Sequence, residues 1–161
     1  TEEAVEDNLY DRLSSRYTRA LARSMANTKQ VKAASILNNA FNSSFAIGDG
    51  KELCATDHPT VGGGNLANEL STAADLNETS LEQSMIDIVL PDGYVVNHFL
   101  TDTDAFFIKT DAPNGFKHFE RSAIKTSMEG DFETGNVRYK ARERYSFGVS
   151  DPRCVFGSPG A

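Results

Sequence analysis

Between Glu2 and Asn42 the chain carries neither glycine nor proline. Nothing in that stretch loosens the backbone or removes a hydrogen-bond donor, so nothing local stops a helix. Acidic residues come first (Glu2, Glu3, Glu6, Asp7, Asp11) and basic residues follow (Arg12, Arg16, Arg19, Arg23, Lys29, Lys32). That order complements the helix dipole. Leu9, Leu13, Tyr17 and Leu21 recur at i+4, and Val31, Ile36 and Leu37 extend the apolar contact. Arg12, Arg16, Arg19 and Arg23 fall at i, i+4, i+7 and i+11 and share a separate face. That stripe reads either as a solvated face, whose exposed pairs contribute only ~0–1 kcal/mol, or as a contact surface. A helix over the whole stretch would extend ~60 Å at 1.5 Å per residue. It is therefore expected to break near Asn27-Thr28 or to protrude along neighbours.

The remainder changes character. Residues 48–64 hold Gly48-Asp49-Gly50, Asp57-His58-Pro59 and Gly62-Gly63-Gly64, which are turn and loop signals. Ser71 to Ile88 reads as a helix with Thr79 or Asn77 as its N-cap, ending before the turn Pro91-Asp92-Gly93. Strands are expected at Tyr94–Leu100 and Ala105–Lys109, then a hairpin turn at Asp111–Gly115 before Phe116–Glu120. A second turn at Glu133–Asn136 precedes the clearest alternation in the chain. Val137, Tyr139, Ala141, Tyr145, Phe147 and Val149 share one face, and Arg138, Lys140, Arg142 and Arg144 the other. Helices first and antiparallel strands afterwards make an α+β chain.

Chemistry is sparse. His58, His98 and His118 lack the spacing of a metal site, and His58 reads as a turn residue. Asp102-Thr103-Asp104 lacks the remaining ligands of a calcium loop. Gly62-Gly63-Gly64 lacks the Lys-Ser/Thr of a phosphate loop, and neither cysteine has a histidine nearby in sequence. No catalytic, cofactor-binding or metal-binding residue is named, no cofactor is expected, and the chain is not read as an enzyme. Cys54 and Cys154 are too few for a disulfide framework, and a reducing compartment is the default reading. A net charge of −7 argues against nucleic-acid binding as the main task. No apolar run approaches the ~20 residues of a membrane span, so no membrane partner is expected. The 161 residues fit one ordinary domain, and because the chain opens on Thr1 its start is expected upstream. The basic strand face could touch nucleic acid through phosphates without reading sequence, or an acidic neighbour such as the Glu-rich start of the long helix in another copy of the chain.

Leu53-Cys54-Ala55-Thr56-Asp57-His58-Pro59 with Gly62-Gly63-Gly64, and Leu81-Glu82-Gln83-Ser84-Met85-Ile86-Asp87-Ile88, resemble tailed-bacteriophage major capsid proteins. So do Phe132-Glu133-Thr134-Gly135-Asn136, Arg142 to Gly148 and Ser150-Asp151-Pro152, and the likeness takes in the helix from Asn8 to Asn39. The resemblance implies the Hong Kong 97-type capsid fold, a long spine helix packed on an antiparallel sheet in a peripheral domain, with a partial axial domain. Residues 1–70 would be spine helix and loop, 71–100 would lead into and out of the axial domain, and 101–161 would be peripheral sheet and C-terminal tail. Members of that family are longer, so a middle segment is expected to be missing near residues 86–91.

Functionally, the resemblance implies a self-assembling coat subunit in hexamers and pentamers of an icosahedral head around double-stranded DNA. The subunit would lie in the virion after assembly in the host cytoplasm. DNA would be touched non-specifically on the inner face, and portal, scaffold or decoration proteins are further partners. An encapsulin-type compartment shell is the alternative, and a maturation protease or enzyme with a dispersed site a third reading. Arg12, Arg16, Arg19, Arg23, Arg138, Lys140, Arg142 and Arg144 are the candidate inter-subunit contacts.

Overall fold

The computed structural model describes residues 10–77, 79–80, 95–131, 133 and 135–161, with residues 10–14 described by backbone alone. Helix α1 spans Tyr10–Asn38, followed by β1 (His58–Pro59), β2 (Asn65–Leu66), β3 (Phe106–Lys109), β4 (Phe116–Asp131), β5 (Asn136–Val149) and β6 (Val155–Ser158). The strands pair as β1-β2, β3-β6 and β4-β5, so the described strands make three two-stranded sheets rather than one. The α+β class stands. Two compact units divide the chain, one of Thr1–Val31 with Phe119–Ser146 and one of Lys32–His118 with Phe147–Ala161.

In the first unit α1 does not break at Asn27-Thr28. The Thr28 hydroxyl donates to the Ser24 carbonyl at 2.9 Å, and the Thr18 hydroxyl to the Ser15 carbonyl at 3.1 Å. The hydroxyls that compete with helix in other settings are satisfied inside it. The 29 residues of α1 extend about 43 Å. Its half-buried face is Ser15, Thr18, Leu21, Met25 and Lys29. Tyr17, expected in the apolar row, is 66% exposed. The helix meets β5 through Lys29, whose Nζ lies 5.0 Å from the Tyr145 ring centroid and 3.7 Å from Glu143. A cation over a ring therefore sets the inward face, and Tyr17 falls off it.

Strands β4 and β5 are joined by residues 132–135 alone, far too short for a parallel crossover, so they form a hairpin. Gly135, at φ 61°, supplies the left-handed turn residue. The alternation expected for β5 is present from Lys140 to Phe147, where Ala141, Glu143, Tyr145 and Phe147 are half-buried and Lys140, Arg142 and Arg144 exposed. Nearer the turn Val137 and Tyr139, expected on the covered face, are exposed along with Arg138.

The second unit holds the core. Ala40, Leu53, Cys54, Cys154 and Val155 are buried together, with Ile36, Leu37, Phe41, Ile47, Phe107, Ala112 and Val149 packed around them. Phe41 stacks on Phe107 at 5.6 Å. The last turns of α1 thus supply apolar wall through the half-buried Ile36 and Leu37. β3 pairs antiparallel with β6, from Phe106 opposite Ser158 to Lys109 opposite Val155.

Several expectations fail here for local reasons. Asp111–Gly115 turns, with Asn114 at φ 64°, but it does not join a hairpin, because β3 pairs with β6 and β4 with β5. Residues 95–100 are not a strand. Asn97 Oδ1 accepts the Phe99 amide and the Asn97 carbonyl accepts the Leu100 amide, a side-chain turn that displaces the ladder. Residues 71–77 are not helical either. Asn77 Oδ1 accepts the Ser80 amide at 2.8 Å and Ser80 Oγ accepts the Asn77 amide at 3.0 Å, so the helix begins at an Asn77 cap. The segment Leu81–Ile88 expected to be helical, Pro91–Gly93, Tyr94, the segment near 86–91, Leu9 and the acids Glu2, Glu3, Glu6 and Asp7 lie outside the described residues. No described helix is long and apolar enough to cross a membrane.

Candidate functional site

Two features concentrate polar chemistry, and they differ in kind. One is the basic surface of the first unit. Arg16, Arg19 and Arg23 are exposed on α1 and line a shallow hollow with Ser15 and Ala20. The side chain of Arg12 lies outside the described residues. On the ribbon, Arg138 is 2.6 Å from Asp131. Lys140, Arg142 and Arg144 have no ion pair among the described residues. The structure thus keeps the two expected basic stripes on separate elements, each facing outward.

The contact of Arg138 with Asp131 puts even positions of β5 on the same face as odd positions of β4. The stack of His118 on Phe147 at 4.9 Å pairs the opposite parities on the other face. Arg121 and Lys125 of β4 therefore join Arg138, Lys140, Arg142 and Arg144 on one face of the ribbon. The strand expected over Phe116–Glu120 stops short of both residues, whereas β4 runs on to Asp131. The other face carries Ile124, Met128, Val137 and Tyr139, which are 53%, 59%, 39% and 38% exposed.

The second feature is buried in the second unit. His58, read from sequence as a turn residue, is 1% exposed and paired in β1. Its Nδ1 lies 2.6 Å from Asp49 Oδ2 and its Nε2 3.1 Å from Asn68 Oδ1. Asn68 also accepts the Ala55 amide at 2.8 Å. Its Nδ2 donates to the carbonyls of Leu53 at 2.8 Å, Pro152 at 2.9 Å and Val155 at 3.2 Å. Three carbonyls on one side fix which end of the amide is nitrogen. Asn68 Oδ1 and Asp49 Oδ2 thus flank the two ring nitrogens of His58. Lys51 and Asp57 form an ion pair beside them.

In this cluster a carboxylate, Asp49, meets a histidine ring. Both ring nitrogens are occupied and the ring is sealed from solvent, so it is not placed to accept a proton from a bound molecule. Burial pushes the Cys54 thiol up to about 12, with Glu69 and Cys154 adding to the effect, so it stays a thiol and packs as an apolar group. Cys54 and Cys154 are both free and buried. Among the described residues no group of three His, Cys, Asp or Glu side chains could hold a metal ion. The arrangement acts as a clamp between chain segments.

Asp49 carries a pH consequence. Burial raises its pKa, but the His58 hydrogen bond, the Lys51 amide and the His58 charge outweigh burial and lower it overall. A carboxylate with a depressed folded pKa contributes stability above its unfolded value of ~3.9, and that stability is lost as pH falls through the folded value. Asp49→Asn should therefore flatten the acid limb of a denaturation curve below about pH 4, by under ~1 kcal/mol because the carboxylate still meets solvent. An acid limb identical to that of the wild-type protein would remove Asp49 from the account.

The family described as phage capsid protein matches the chain over residues 1–157. No curated protein and no solved structure matches it.

Proposed function

The chain belongs to the phage capsid protein family, and from that premise we propose that it is the coat subunit of an icosahedral head enclosing double-stranded DNA. The coarser role follows from the family itself: a structural protein of the virion that self-assembles into a shell. The finer reading takes the Hong Kong 97-type fold, with α1 as the spine, residues 71–100 leading into and out of an axial domain, and residues 101–161 as peripheral sheet and tail. Hexamers and pentamers would tile the shell after assembly in the host cytoplasm. Portal, scaffold and decoration proteins are its further partners, and DNA meets the inner face through phosphates.

The observation that carries this reading is the ribbon of the first unit. A two-stranded hairpin is marginal in water by itself. This one exposes apolar side chains on one face and uncompensated cations on the other. Surfaces of that kind are ordinary in a subunit whose neighbours cover them and costly in a solitary protein. Arg12, Arg16, Arg19 and Arg23 on the helix, with Arg138, Lys140, Arg142 and Arg144 on the strand, are the contact residues of this reading.

Electron microscopy of particles under assembly conditions tests it. Closed icosahedral shells with nuclease-protected DNA are expected. Protein cargo without DNA would move the chain to a compartment shell, and a stable protomer under the same conditions would end the reading. Arg142→Glu with Arg144→Glu should lower particle yield at least about tenfold, while the unfolding midpoint moves by no more than ~0.5 kcal/mol. Unchanged yield would release both arginines from the interface.

A further inference from the structure

The basic face of the ribbon is more one-sided than a solvated surface requires. Over Phe119–Ser127 and Lys140–Ser146 it holds Arg121, Lys125, Lys140, Arg142 and Arg144 and no acidic residue. None of these five has an ion pair among the described residues. The acids of the ribbon lie elsewhere: Glu129 and Asp131 near its turn, and Glu120 and Glu143 on the opposite face, with Glu143 engaged by Lys29. Like charges spaced along neighbouring strands repel one another, which destabilises the ribbon unless an anionic surface covers it.

The same chain carries the complement. Glu2, Glu3, Glu6 and Asp7 lie close together, and no basic residue stands between Glu2 and Arg12. We propose that the basic face of the β4–β5 ribbon in one copy receives this acidic run, Glu2 to Asp7, from a second copy. The inference rests on the shell reading and adds a partner surface to it. Every copy owns one donor of each sign, so a head-to-tail contact satisfies both in every subunit of a lattice. A chain of net charge −7 repels a polyanion at long range, which disfavours phosphates as the ribbon's partner.

Charge-swapped full-length proteins decide it. The ribbon variant is Lys140→Glu, Arg142→Glu and Arg144→Glu, and the acidic-run variant is Glu2→Lys, Glu3→Lys, Glu6→Lys and Asp7→Lys. Each by itself should lose at least about tenfold in particle yield. Their mixture should return to within about twofold of wild type, because each supplies the sign the other lacks. Recovery only when both sets are placed in one chain would mean the pairing is intramolecular and would overturn the proposal. Recovery in neither arrangement would overturn charge pairing altogether. Salt-sensitive binding of a short DNA duplex, lost in the ribbon variant without recovery in the mixture, would give the face to phosphates instead.

If the wild-type protein forms no closed shell, the shell reading falls. The pairing is still read by sedimentation, where the mixed variants must form a species heavier than either alone. A ribbon variant that fails to fold is replaced by Lys140→Gln, Arg142→Gln and Arg144→Gln. That protein should lose both yield and the salt sensitivity of assembly, and retention of both would overturn the proposal.

Discussion

Asn68→Asp should destabilise the second unit by about 3–5 kcal/mol, as severely as Asn68→Ala, although it changes one amide nitrogen to oxygen. The amide nitrogen faces the carbonyls of Leu53, Pro152 and Val155, and an oxygen there meets three acceptors with none of them able to donate. Alanine instead leaves those carbonyls, the Ala55 amide and His58 Nε2 without this partner in a site that is 4% exposed. Each orphaned buried group costs ~1–3 kcal/mol, and the terms overlap because they share one side chain. Denaturant unfolding of the unassembled protomer checks it, since assembly would itself stabilise the fold by mass action. A midpoint for Asn68→Asp within about 1 kcal/mol of wild type would mean the amide is not the clamp described here.

Gly115→Ala should cost about 3 kcal/mol or more, and Cys154→Gly should partly rescue it. A Cβ added at Gly115 would fall on the Cβ of Cys154, which is buried in the core. The φ of Gly115 is not in the left-handed region, so the penalty is steric and lies at a named partner. The approach is held from both sides. The Gly115 carbonyl accepts the Ser150 amide, and the Cys154 carbonyl accepts the Thr110 amide, each at 3.0 Å. Neither backbone segment can withdraw without breaking a bond, and overpacking of a fixed core is destabilising. Thermal or denaturant melts of the single and double variants form the cycle. A double variant no more stable than Gly115→Ala would show that the collision is relieved elsewhere.

These two positions bear on assembly indirectly. The clamp at Asn68 and the contact at Gly115 join residues 53–68 and 110–115 to the C-terminal segment 150–158. The second unit therefore has its own stabilising centre. The first unit, by contrast, shows polar and charged contacts from Lys29 and a ribbon with both faces substantially exposed. A shell subunit built this way keeps one part folded by internal burial and leaves another to be completed by contact.

Much of this was legible in the residues. The absence of glycine and proline after Glu2 announced α1, and the alternation from Val137 to Val149 announced β5 and its outward arginines. Asn77, which with Thr79 was one of two expected caps, was also readable, because its side chain acts only three residues away. β6 was not. Val155–Ser158 is four residues including a glycine, and it becomes a strand because β3 lies beside it. His58 looked like a turn residue between Asp57 and Pro59, and its burial depends on Asp49 and Asn68 closing over it.

The division has one physical cause. Helix and strand periodicity, caps and the sign of exposed charge are set by neighbours within a few residues, so the string of amino acids determined them. Asn68 bonds to carbonyls as far as 87 residues away, and the partners of β3 and Gly115 come from the same distant segment. No local pattern encodes such meetings. They exist only when the chain has closed, and the tertiary structure alone decided them.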